Sequence, residues 1–241
     1  MAACADDSAV GRSHWAAFLK YAAKMGLDAM EKYLSTQMPF WRFALHTLVI
    51  SLACGAPLLV LYVLINPGLA SHLVSGGPAL ARFLRQVVTN GLPVVFVTNY
   101  VSFFIYAVLT DRYGVGKVPV RLILSDLPLR VALFLVLHAL TYVLSAQWYG
   151  SFGGSKSVAL GVVAPTLVRS ALFANLSGVY FYAVVLSALP LYLPALERGT
   201  AWCPAQRRWR GWRFLATLAI AASFAALLAG VTALIIALGS G

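Results

Sequence analysis

Charge is scarce in this chain, and acidic charge is scarcest of all. Only 10% of its 241 residues are charged, with 7 Asp and Glu against 18 Lys and Arg. Soluble domains carry about 25% charged residues, so a water-solvated surface is excluded and lipid is the expected solvent. Cysteine is nearly absent as well. Cys4, Cys54 and Cys203 share neither a CxxC nor a metal-ligand spacing, which excludes a disulfide framework and a thiolate metal site. No apolar core follows the first charges before Trp15, so the N-terminus does not read as a secretory signal. No internal repeat is visible.

What is present is long apolar sequence: 61% hydrophobic residues and a mean hydropathy of +0.84. A bilayer core about 30 Å thick needs roughly 20 apolar residues in a helix. Five segments qualify: Phe43–Ile65, Gln86–Leu109, Leu127–Ala146, Ser170–Leu193 and Phe214–Leu238. The third has Ser125 or Asp126 as N-cap and Pro128 in its first turn. Pro165 and Arg169 interrupt the apolar stretch before the fourth, which makes residues 158–166 an outer loop packed on the bundle. The expected fold is therefore an all-α polytopic transmembrane bundle of about five spans. Residues 1–42 form a cytoplasmic N-terminal segment and residues 43–241 the membrane domain.

Placement of the basic residues orients the bundle. With the N-terminus inside, the cytoplasmic segments hold all Lys and Arg except Arg82, Arg85, Lys156 and Arg169, a split of 14 to 4 among 18. The C-terminus is then outside. Every carboxylate, Asp126 included, falls on the cytoplasmic side or at its edge, so no buried charge is expected. Such a bias suits a bacterial cytoplasmic (inner) membrane.

Two segments read as surface anchors. Trp15, Phe18, Ala22, Met25, Ala29 and Tyr33 recur at helical spacing with lysines opposite, the pattern of an amphipathic helix lying along the inner leaflet or docked on the protein's own loops. Trp41 and Arg42 then mark the headgroup level at the first span. Arg207, Arg208, Trp209, Arg210, Trp212 and Arg213 interleave cations with indoles before the fifth span. Arg and Trp can stack on nucleic-acid bases, yet this short loop belongs to no nucleic-acid-binding fold, and anionic lipid headgroups suit it better.

Polar groups inside a bilayer are costly and are the first place to look for function. Counting from the span ends puts Asn99, His138 and Tyr182 near mid-depth, where they could form a polar hub for a headgroup or a proton. Plain interhelical hydrogen bonding explains them too, at about 0.6 kcal/mol each. No charged partner accompanies His138. A haem between His46 and His138 is disfavoured because their depths differ by about 12 Å, and no metal or other cofactor is expected. Ser51, Ser102 and Ser177 read as helix-packing glue. The Asn175-Leu-Ser sequon lies within the fourth span. Ala222, Ala226 and Gly230 form a small-residue ridge suited to close helix packing, within the chain or against another subunit.

Asp111-Arg112-x-Gly114-x-x-Lys117, between the second and third spans, resembles the loop joining the second and third helices of major facilitator transporters. In that family the loop helps lock helices together on the cytoplasmic side, which implies a clasp role for Asp111 and Arg112 here. The likeness covers about a dozen residues, and five spans supply neither twelve helices nor a half of six, so no transport activity is carried across. The leading functional expectation is a non-enzymatic membrane subunit or assembly factor that works through contacts with lipids, other subunits or itself. A small oligomeric transporter or channel for a neutral or lipidic solute is the alternative. A lipid-acting enzyme using Asp111, Asp126 and nearby arginines is weaker still.

Overall fold

A computed structural model describes residues 34–74, 76–114, 116–144, 157–199 and 212–239, with backbone alone at 142–144, 157–162, 197–199, 212 and 239. All of the regular structure among them is helical. The helices are α1 (Phe40–Ile65), α2 (Pro67–Val74), α3 (Pro78–Gln86), α4 (Leu92–Tyr113), α5 (Val120–Leu124), α6 (Asp126–Leu144), α7 (Ser157–Ala171), α8 (Leu176–Gly199) and α9 (Trp212–Gly239). A π-helical turn, Val87–Gly91, joins α3 to α4. The amphipathic segment expected at 15–33 lies outside the described residues, as do Arg207, Arg208, Trp209 and Arg210.

Among the described residues, four helical stretches are long and apolar enough to cross a membrane: Phe40–Ile65, Pro78–Tyr113, Leu176–Leu196 and Arg213–Leu238. The chain is therefore an integral membrane protein by length and composition of its helices. The expected third span is a helix of 19 residues, Asp126–Leu144, but is not one of the four.

Two expectations about the connections are corrected. The connection after the first span is helical: Pro67 follows the end of α1, Gly76 and Gly77 turn the chain at φ +71° and +70°, and Pro78 opens α3. From there the chain runs as one rod into α4. Pro93 lacks an N–H and its ring crowds the carbonyl four residues back, so the ladder widens into the π turn, with Leu92 N bonded to Val87 O. Residues 158–166 are not a loop, because α7 carries Pro165 inside it. The real break falls at 172–175, where Phe173 takes φ 55° and Asn175 Oδ1 accepts from Gly178 N at 3.0 Å as α8 begins. Asn175 thus lies between helices, not within the fourth span.

Burial shows why these helices associate. α8 sits at the centre and packs against α1, α4, α5, α7 and α9. Tyr192, Phe103, Phe134, Phe181 and Phe224 are fully buried. The polarity runs opposite to that of a water-soluble bundle. On α1 the buried residues are Phe43, Thr47 and Ser51, one face at four-residue steps, while Leu45, Val49, Leu52, Val60 and Leu64 point outward. On α4, Thr98, Asn99 and Ser102 are buried while Val97, Phe104, Ile105 and Val108 are exposed. Hydroxyls inside and aliphatics outside are stable only where the outer solvent is apolar.

Candidate functional site: a buried ion pair at the helix crossing

The inward polar faces of α1, α4, α6 and α8 converge on Arg130. This arginine is completely buried, whereas the sequence pattern placed it among the cytoplasmic cations; the expected absence of buried charge is overturned. Its position follows from helical spacing. Asp126, the first residue of α6, lies one turn earlier on the same face, so Arg130 Nε donates to Asp126 Oδ2 at 2.6 Å. With its charge matched locally, the side chain turns into the bundle and does not reach back toward water.

Across the interface, Arg130 Nη1 donates to Asn99 Oδ1 at 2.7 Å, with Ser187 Oγ and the Val184 carbonyl each at 3.1 Å. Guanidinium can only donate, which fixes the orientation of the Asn99 amide. Asn99 Nδ2 then donates to Ser51 Oγ at 2.9 Å, and the Ser51 hydroxyl donates to the Thr47 carbonyl at 2.8 Å. On the far side Tyr192 donates to Asp126 Oδ2 at 2.8 Å. The Phe103 ring lies 5.1 Å from the guanidinium carbon, close enough for a cation–π contact. A single polar chain, Tyr192–Asp126–Arg130–Asn99–Ser51, therefore ties α8, α6, α4 and α1 together.

Two spaces open beside this chain. A cavity of about 40 Å³ lies where α4, α5 and α6 meet, walled by Asp126, Ser102, Tyr106, Leu109, Ile123 and Leu191. A lateral cleft of about 140 Å³ lies between α1, the π turn and α8, lined by aliphatic residues with Ser51 on its wall. Gly91 is required beside it: any Cβ there would overlap the Tyr180 ring.

The expected hub is only partly assembled. Asn99 is in the centre. His138 is buried on α6 and stacks on Phe134, ring centroids 5.2 Å apart and planes 13° from parallel. Tyr182 donates to the Ala171 carbonyl at 2.7 Å, beside Phe173 and Phe181. Asp111 accepts a hydrogen bond from the Thr36 hydroxyl, and Arg112 lies over the Tyr113 ring at 5.9 Å, so Asp111 clasps the segment before α1. Trp41 and Arg42 are exposed at the start of α1, and Arg213 at the start of α9, whose first residue is Trp212. Ala222, Ala226 and Gly230 are all exposed on α9, whereas Phe224 and Leu228 face the core. No group of three or more His, Cys, Asp or Glu side chains that could hold a metal occurs among the described residues.

Sequence reasoning missed Arg130, Ser187 and Tyr192 as members of the site. The one available signal was Asp126 four residues before Arg130, in a helix with no other Asp, Glu, Lys or Arg. The chain matches no family model, no curated protein and no solved structure, so the site itself carries the functional reading.

Proposed function

We propose that this chain is a small membrane carrier whose transport centre is the Asp126–Arg130–Asn99 group. The observation that carries the reading is the complete burial of Arg130 against Asp126 inside a lipid-solvated bundle. A buried ion pair is a poor stabiliser, since apolar residues of the same volume do as well or better. Intramembrane charge is instead the mark of solute and ion pathways. The pair lies beside a mostly apolar cavity that carries Asp126 and Ser102 on its wall, on the side of the Gly114 turn, and its hydrogen bonds cross the bundle to the lateral cleft. The topology belonging to this reading has five spans, with α6 as the third. With Arg130 set aside as buried, the 13-to-4 placement of the other basic residues supports a cytoplasmic N-terminus and an inner-membrane location.

Flux across proteoliposomes tests it. Wild-type chain should pass at least one small solute from a panel of neutral and anionic compounds, and folded Arg130→Gln protein should lose that flux. Equal flux from both proteins would contradict the proposal.

A second reading, a subunit that assembles with other helices, is favoured by the α9 ridge. Ala222, Ala226 and Gly230 face away from the core, and a Cβ added to Gly230 would meet nothing within 4 Å. The carrier could use the same ridge to oligomerise, so the two readings are compatible. The buried pair removes one motive for a purely structural role.

A further inference from the structure

Three buried polar atoms around the centre have no hydrogen-bond partner among the described residues: Arg130 Nη2, Asp126 Oδ1 and Ser102 Oγ. Ser102 is 1% exposed and lines the 40 Å³ cavity together with Asp126. Roughly 90% of buried polar atoms find partners in folded proteins, so two on residues that line one cavity, Asp126 and Ser102, with Arg130 paired to that same Asp126, indicate accommodation for a guest's polar atoms. A water-sized group occupies about 10–15 Å³ by this measure. The cavity therefore has room for more than a single water and suits a small guest.

Charge narrows the guest further. Arg130 cannot lose its proton. With Asp126 ionised the pair is neutral overall. The groups facing Asp126 are Arg130 on its own helix, Tyr192 from α8 and Tyr106 across the cavity from α4, while α5 contributes only Leu122 and Ile123. A cation entering would add a second positive charge beside Arg130, and an anion entering alone would leave an unmatched negative one. Either costs several kcal/mol in a buried setting. An anion that arrives with one proton leaves the total at zero.

The guanidinium geometry says where each would go. Nη1 is fully engaged by Asn99, Ser187 and the Val184 carbonyl. Nε and Nη2 form the side-on fork that suits a planar oxyanion, and Asp126 occupies only its Nε prong. We infer, building on the carrier reading above, that Asp126 takes up a proton while a small planar monovalent oxyanion takes its place on the Nε–Nη2 fork of Arg130. In balance, the Asp126 carboxylate gains H⁺ and becomes the neutral acid. The anion accepts Nε–H, Nη2–H and the Ser102 hydroxyl, and no covalent bond to a heavy atom changes. Proton and anion bind together, and lower pH strengthens binding.

Titration calorimetry of the full chain in lipid nanodiscs tests this, with sodium formate and sodium nitrate as probes in buffers of different ionisation enthalpy. One proton should be taken up per anion bound, and affinity should rise about tenfold per pH unit lowered. Asp126→Asn should bind the anion with no proton uptake and no pH dependence, Arg130→Gln should not bind, and Ser102→Ala, a change that spares the core, should bind severalfold more weakly. Binding of neither probe to wild-type protein, or binding without proton uptake, would overturn the inference. If neutral-solute flux through wild type persisted in that case, only the anion assignment would fail; loss of all flux would remove the carrier reading as well.

Discussion

Arg130 and Asn99 meet across the α6–α4 interface, the guanidinium Nη1 donating to the amide oxygen over 2.7 Å, both side chains wholly inside the bundle. This contact extends a local ion pair within α6 into a network that reaches α1 and α8.

Removing one member of the pair should cost more than removing both. Arg130→Met leaves the Asp126 carboxylate buried without its cation, a change worth about 3–5 kcal/mol. Asp126→Leu combined with Arg130→Met should recover most of that loss. Unfolding in mixed micelles measures both, and equal instability of the single and double variants would show that the charges do not interact.

Asn99→Leu should cost about 1–3 kcal/mol, because Ser51 loses its donor and Arg130 an acceptor deep in the bundle. His138→Phe should be close to neutral by the same assay and should keep solute flux, since a phenyl ring can replace imidazole in the stack on Phe134. If His138→Phe abolished flux in folded protein, the centre would have to be redrawn around His138.

The π turn gives a packing test. Gly91→Ala pushes a methyl group into the Tyr180 ring and should destabilise by about 1–3 kcal/mol. Tyr180→Ala in the same chain should make the double variant cost less than the sum of the single ones. Strict additivity would mean the two do not touch.

On α9 the prediction is a dissociation. Gly230→Leu and Ala226→Leu enlarge exposed positions of the ridge, so the melting temperature of the monomer should stay put. Any oligomer seen by cross-linking or light scattering in wild type should weaken at least tenfold, because small residues permit the close backbone approach. Unchanged assembly would show that the ridge faces lipid alone.

Much of the fold could be read from the sequence, because apolar runs of twenty residues have few alternatives in a bilayer. Hydropathy located α1 and α9 to within a few residues, whereas α8 begins and ends later than the expected span and the second stretch begins at Pro78, well before it. It did not resolve α7 or the break at Asn175, since a turn built from Leu172, Phe173 and Ala174 is as apolar as the helices it joins. Depth counting did bring Asn99 to the centre. Arg130 escaped because a rule that counts every cation near a span end as cytoplasmic has no place for one whose partner, Asp126, sits a turn away. Ser51 was recognised as packing glue, and in fact it holds the Asn99 amide. Tyr192 and Ser187 carry no local signal; only the crossing of α8 with α4 and α6 brings them to the pair.

Water access at Ser102 separates a transport centre from a sealed structural lock more directly than any other measurement. With Cys4, Cys54 and Cys203 replaced, Ser102→Cys protein in oriented vesicles is exposed to a membrane-impermeant thiol reagent on each side in turn. A carrier centre predicts modification from the face that bears the Gly114 turn, through the cavity that Ser102 shares with Asp126. Reaction with lipid-soluble reagents alone, from neither aqueous side, would contradict it.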